Sequence, residues 1–299
     1  MNGHSKPKPG DILRLMRPRH YIKNLLIFVS ITFNRDLFQI EVLAQVLIGF
    51  AAFCLLSSAV YVLNDIRDVE ADRRHEVKRK RPIASGAVPI STAYLLAGIF
   101  LAAALALQLT VFGNRGGSFF FMLTYFIVNL GYSLGLKHVP FLDIILLVTG
   151  FVLRVTYGAA IINSSTSAWV YLTVFALSFY LGLGKRRNEL SKTTGETRKV
   201  LQYYSYEFLD KFMYLCLTLA ITFYALWSTD AEVAAKYGTD KLIWTVPLVI
   251  VILMRYSADI ESNSYGDPVD VITQDKLLLL MVLLFVLLMV GLIYLPGLI

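Results

Sequence analysis

Residues 276–294, KLLLLMVLLFVLLMVGLIY, carry a single charge. A helix needs roughly 20 mostly apolar residues to cross the hydrocarbon of a bilayer. Blocks of this kind recur along the chain and limit its fold more than any other feature. Nine candidate spans are read at approximately 20–38, 40–63, 91–111, 118–135, 141–162, 168–184, 208–228, 242–258 and 276–296. Asn34, Arg35 and Asp36 interrupt the first, and the eighth is short. The chain is 57% hydrophobic and 16% charged. Soluble domains run nearer roughly 45–50% and 25%. The expected fold class is therefore all-α, a polytopic membrane protein with nine transmembrane helices. One domain is expected over 1–299, with a polar N-terminal segment at 1–19 and charged loops at 64–90 and 185–207.

Lysine and arginine orient these spans. With the N-terminus inside, the inner segments hold six basic residues in 1–23, seven in 64–90, Lys137, and six in 185–207. The outer loops hold Arg35, Arg115, Lys236 and Lys241. Basic residues collect on the cytoplasmic side of membrane proteins, so the N-terminus is expected in the cytoplasm and the C-terminus outside. The net charge of +7 then belongs to inner loops beside anionic lipid, and no nucleic acid is expected. Cys54 and Cys216 lie in apolar segments without metal spacing and are expected as small buried hydrophobes. The basic N-terminus lacks the short apolar core and cleavage site of a signal peptide. The chemistry-capable residues gather on the inner face.

The densest motif is YVLNDIRDVEADRRHEVKRKRPIASG, from Tyr61 to Gly86. If the second span continues as a helix, Asn64, Asp68 and Asp72 fall at i, i+4 and i+8, with Asp65 beside them. Like charges at that spacing repel, and near lipid the cost rises, so a cation is expected among them. Hard oxygen donors select Mg2+, with Mn2+ as the alternative. A solvated helix end paired with Arg67, Arg73, Arg74 and Lys78 is the plainer alternative. Lys78 and Arg81 flank the acids and suit phosphate. Tyr132, Lys137, Asp143 and Arg154 surround a tight inner turn, and an Asp143–Arg154 structural pair competes there with substrate binding. In GLGKRRNEL, residues 182–190, Lys185, Arg186 and Arg187 precede Glu189 and read as an anion site. The segment lacks the glycine spacing and Ser/Thr of a P-loop.

These motifs resemble the UbiA superfamily of intramembrane prenyltransferases. The NDxxDxxxD motif falls on Asn64, Asp65, Asp68 and Asp72, and YSxxLK on Tyr132 to Lys137. The resemblance implies nine helices around a central cavity, and metal-bound prenyl diphosphate. The family's second aspartate-rich motif is replaced here by KRRNEL, which puts a second metal site in doubt. With RPRHYIKN (17–24, including Lys23), DRRHEVKRKRPIASG (72–86) and GFVLR (150–154), the pattern is similar to the decaprenyl-phosphate phosphoribosyltransferase branch. That implies transfer of 5-phosphoribose from 5-phosphoribosyl 1-diphosphate to a polyprenyl phosphate, toward a lipid-linked arabinose donor. Asp65, Asp68 and Asp72 would hold the metal. Asp143 would stabilise the oxocarbenium, and Lys23, Lys78, Arg81, Tyr132, Lys137, Arg154, Lys185, Arg186, Arg187, Glu189 and Asn64 would serve substrate. The acceptor is already anionic, so no strong base is required. The plasma membrane is the expected location, with the site facing the cytoplasm, contacts with membrane lipid, and a homo-oligomer left open. Prenyl transfer to an aromatic acceptor and lipid transport are the rival readings.

Overall fold

In lipid, a spanning segment must satisfy its backbone polar groups internally, and a helix does so segment by segment. The computed structural model describes residues 7–112, 116–191, 199–262 and 267–295, and no strand forms among them. The α-helices are α1 (Pro9–Met16), α2 (Val29–Phe33), α3 (Ile40–Arg67), α4 (Val69–Arg74), α5 (Ile90–Phe112), α6 (Gly116–Leu134), α7 (Leu142–Ile161), α8 (Ala168–Ser191), α9 (Tyr206–Thr229), α10 (Ala231–Tyr237), α11 (Val246–Glu261), α12 (Pro268–Gln274) and α13 (Lys276–Tyr294). Polar side chains close several helix starts. The Ser205 hydroxyl accepts from the Phe208 N–H, Asp230 from Glu232 and Val233, Asp267 from Val269, and Asp275 from Leu277 and Leu278.

Eight helical segments among the described residues are long and apolar enough to cross a membrane: α3, α5, α6, α7, α8, α9, Lys241–Glu261 and α13. The expected span at 20–38 is instead a broken segment. A 3-10 helix over Pro18–Phe28 runs into the five residues of α2. Left-handed residues bound it, Arg17 at φ 56° and Arg35 at φ 65°. Its carbonyls press against α7: a Cβ added to Gly158 would lie 2.1 Å from the Ile27 oxygen. That approach is open only to glycine, and it holds the 3-10 backbone against a helix rather than against lipid.

The two segments expected as loops begin as helix, and 75–89 of the first is mostly turns around a short 3-10 piece. α3 runs through Arg67 and α4 takes up the chain at Val69, while α8 continues to Ser191 and carries KRRNEL on its last turns. Lysine, arginine and glutamate are good helix formers, so polarity alone does not end these helices. Residues 192–198 of the expected 185–207 loop lie outside the described residues.

The chain divides into two compact units. Unit 1 comprises Met1–Ile31, Phe38–Lys137 and Leu153–Ser164. Its core includes Leu15, Val62, Ile66, Ile83 and Val88. Unit 2 comprises Thr32–Leu37, His138–Val152 and Ser165–Ile299, around Ile144, Tyr180, Leu209, Met213 and Tyr256.

Candidate active site

In unit 1 the acidic motif keeps helical register through the end of α3. The Asp68 N–H donates to the Asn64 carbonyl at 2.9 Å, and the Asp72 N–H to the Asp68 carbonyl at 2.8 Å. The backbone leaves ideal helix at Asp68 (φ −90°, ψ 6°), which rotates α4 slightly from α3. Ile83 and Val88, both buried, anchor the segment that returns after the 3-10 turn Lys78–Lys80. This return brings Arg81 back over the acids.

Each carboxylate meets a cation of the same unit. Arg81 Nη1 lies 3.0 Å from Asp65 Oδ1 and 2.7 Å from Asp72 Oδ2. Arg17 donates to Asp65 from the left-handed corner between α1 and the 3-10 helix, its guanidinium 5.2 Å from the Tyr61 ring centre. Lys137, 5% exposed, donates to both oxygens of Asp68 at 2.5 and 2.7 Å. Asn64 joins the set, donating to Asp68 at 3.2 Å and accepting from Ser133 at 3.1 Å. Asp65 and Asp72 are buried. Burial raises the Asp72 pKa above its ordinary value, against the lowering exerted by Arg81. Partial burial and the Lys78 charge lower that of His75, whose Nδ1 accepts from the Val77 and Lys78 N–H groups.

Among the described residues, no three acids, histidines or cysteines converge as a metal-binding group. Asp68 is turned toward Lys137, so the three-aspartate ligand set expected from sequence is not assembled as such. Asp65 and Asp72 nevertheless both reach one cationic nitrogen, that of Arg81. A point within reach of two buried carboxylates already holds positive charge, and hard oxygen donors suit a divalent cation there.

Arg154 belongs to the same unit but to its interior. Its Nε donates to Asn24 at 2.7 Å and Nη2 to Tyr125 at 3.0 Å, with Phe53 and Tyr125 rings beneath the guanidinium. Lys23 is half-buried on the 3-10 helix, Tyr132 half-buried on the last turn of α6, and Lys78 half-buried before Arg81.

Unit 2 holds a second charged cluster. Asp143 and Arg186 are both 0% exposed, with Nε and Oδ2 2.6 Å apart. Tyr204 donates to the other Asp143 oxygen at 2.7 Å, and its own oxygen accepts the Phe141 N–H at 2.6 Å. Phe141 has φ 66°, a conformation costly for a bulky residue and held here by that bond. Burial, then the bond to Asp143, raises the Tyr204 pKa. The alternative of an Asp143–Arg154 pair gives way to these partners. Successive residues on a helix point about 100° apart, and the three KRRNEL cations diverge accordingly. Lys185 faces Asp267 at 4.0 Å, Arg186 faces Asp143 and Glu189, and Arg187 faces Asp210. Sequence reading missed Arg17, Ser133 and Tyr204. Ser133 lies four residues before Lys137, a spacing that could have signalled it; Tyr204 lies in no motif. Unit 2 also has an apolar groove of about 500 Å³, lined by Phe141, Phe175, Phe179, Phe208, Phe212 and Phe223 among others.

Fold and site together define a multi-pass helical membrane protein with carboxylates and cations massed at the end of a membrane-length helix. The sequence matches the UbiA prenyltransferase family over residues 27–192. It is 33% identical over 302 residues to a decaprenyl-phosphate phosphoribosyltransferase of Mycolicibacterium smegmatis, covering 95% of this chain and 92% of that one. Identity is also 33%, over 293 residues, to a protein of the same name from Corynebacterium glutamicum, covering 95% and 86%. Among solved structures, a UbiA homolog from Archaeoglobus fulgidus bound to GPP and Mg2+ superposes with a TM-score of 0.69 at 20% identity, covering 95% of this chain and 99% of that one. The chain belongs to the UbiA prenyltransferase family, and it is an integral membrane protein.

Proposed function

We infer that this chain is a transferase that moves 5-phosphoribose from 5-phosphoribosyl 1-diphosphate to a polyprenyl phosphate and releases diphosphate. The observation that carries this reading is its 33% identity, over 95% of its length, to decaprenyl-phosphate phosphoribosyltransferases. The charge distribution supports it. Prenyl transfer handles one diphosphate, whereas phosphoribosyl transfer handles a diphosphate, a 5-phosphate and a lipid phosphate. This chain carries the KRRNEL cations of α8 as well as the acid cluster of α3 and α4.

A divalent ion, Mg2+ or alternatively Mn2+, would be held by Asp65 and Asp72 with Asp68, and would supply charge neutralisation for the departing diphosphate. Asn64, itself held by Ser133, fixes Asp68, and Lys137 and Arg81 supply cations for phosphate oxygens. Asp143 changes role from the sequence reading. With its oxygens taken by Arg186 and Tyr204, it positions the Arg186 guanidinium rather than meeting the ribose itself. Lys185, Arg187 and Glu189 remain proposed for substrate, with Lys23, Lys78, Tyr132 and Arg154. The lipid phosphate is anionic and needs no general base. The aromatic groove of unit 2 suits an isoprenoid tail.

We place nine crossings in the plasma membrane, the ninth being the broken segment over 18–33, with the site on the cytoplasmic side and the chain acting as one catalytic domain. The deciding experiment uses detergent-purified protein, Mg2+, labelled phosphoribosyl diphosphate and polyprenyl phosphate. Labelled lipid is the expected product. Its absence, together with label transfer from prenyl diphosphate to an aromatic acid, would replace this reading by ordinary prenyl transfer.

A further inference from the structure

We propose that Arg81 is the resting counter-ion of the carboxylate site, and that a metal exchanges it far more readily when a diphosphate arrives with it. The inference rests on the metal-diphosphate reading above and assigns Arg81 two successive partners. One nitrogen, Nη1, lies 3.0 Å from Asp65 and 2.7 Å from Asp72. A guanidinium nitrogen and a divalent ion cannot share that point, so any metal that bridges these two acids displaces Arg81.

Charge decides what can displace it. Asp65, Asp68 and Asp72 are matched by Arg17, Arg81 and Lys137, three carboxylates against three cations. Asp65 and Asp72 are 2% and 3% exposed, so water screens this set poorly. A bare divalent ion would leave the cluster with two excess positive charges and a displaced guanidinium without an anion. A diphosphate alone would meet three carboxylates. Metal and diphosphate together satisfy every group: the ion takes the carboxylates, and Arg81 turns its fork onto phosphate oxygens, for which guanidinium geometry is suited. Arg81 is 28% exposed in its side chain and follows a three-residue 3-10 turn, so it can swing while Ile83 keeps the segment anchored.

Mn2+ binding to the full-length protein in detergent, read as protein-bound Mn2+ by equilibrium dialysis at matched free Mn2+, tests this without turnover. In wild type, inorganic diphosphate is expected to tighten Mn2+ binding by about tenfold or more, the range of a coupling between sites. In Arg81→Gln, Mn2+ alone is expected to bind about tenfold tighter than in wild type, and the coupling to diphosphate to fall toward unity. Unchanged or weaker Mn2+ binding in Arg81→Gln, beside a wild type that binds Mn2+ with diphosphate, overturns the counter-ion proposal alone. A wild type that binds no Mn2+ even with diphosphate overturns the metal reading with it. Should the variant fail to fold, phenylglyoxal labelling of Arg81 in wild type gives the answer. Saturating Mn2+ should speed it and further diphosphate should suppress it, and a rate indifferent to both overturns the proposal.

Discussion

At the scale of single residues, the acids are distinguished by their partners. Asp68 binds Lys137 and Asn64, while Asp65 and Asp72 share Arg81. Asp68→Asn keeps the shape and removes the charge, so turnover should fall by about a hundredfold or more while the protein still elutes as a folded species; near-normal turnover would remove Asp68 from the site. Asp143 and Arg186 form a buried pair, and breaking one by halves leaves an unpaired charge. Arg186→Met should cost roughly 3–5 kcal/mol in an unfolding titration. The double variant Asp143→Leu/Arg186→Met should recover much of that loss without recovering activity, which separates the pair's structural weight from the part proposed for Arg186 in substrate binding. The register of Asn64, Asp68 and Asp72 was readable from spacing. Arg17 was not, because nothing in RPRHYIKN says which of its cations turns toward an acid 48 positions later.

At the scale of elements, eight of the nine expected spans are membrane-length helices, and the first is a shorter, broken segment. The 18–33 segment is helical but broken, since its 3-10 carbonyls lie against Gly158 of α7. A methyl there meets backbone, which cannot move aside as a side chain can. Gly158→Ala should lower stability by roughly 1–3 kcal/mol, as overpacking does. Gly98→Ala on α5, with nothing within 4 Å of the added Cβ, is the control and should leave the melting temperature unchanged. Equal shifts for both would contradict the packing assigned to Gly158. The helices α3 and α8 run on into the charged segments assigned to loops, because charge density signals contact with water, and helices of lysine, arginine and glutamate tolerate water well.

At the scale of the whole molecule, the proposed orientation rests on the distribution of lysine and arginine and is open to test. On a background lacking Cys54 and Cys216, Ser85→Cys and Ser262→Cys should be labelled from the cytoplasmic side only, and Phe38→Cys and Asp240→Cys from the opposite side. Ser85, Ser262, Phe38 and Asp240 are all exposed. Labelling of Phe38→Cys from the cytoplasm would mean that 18–33 does not cross.

The sequence by itself determined that this chain is built of membrane-length helices, and which short stretches carry its charge. Both are local properties, set by hydrophobic length and by helical spacing within one segment. Only the tertiary structure decided the pairing: Lys137 with Asp68 across 69 residues, Arg81 between two acids, and Arg186 on Asp143. Several cations of similar chemistry compete for each carboxylate, and sequence distance does not rank them. The winner is whichever backbone path brings a side chain within about 3 Å.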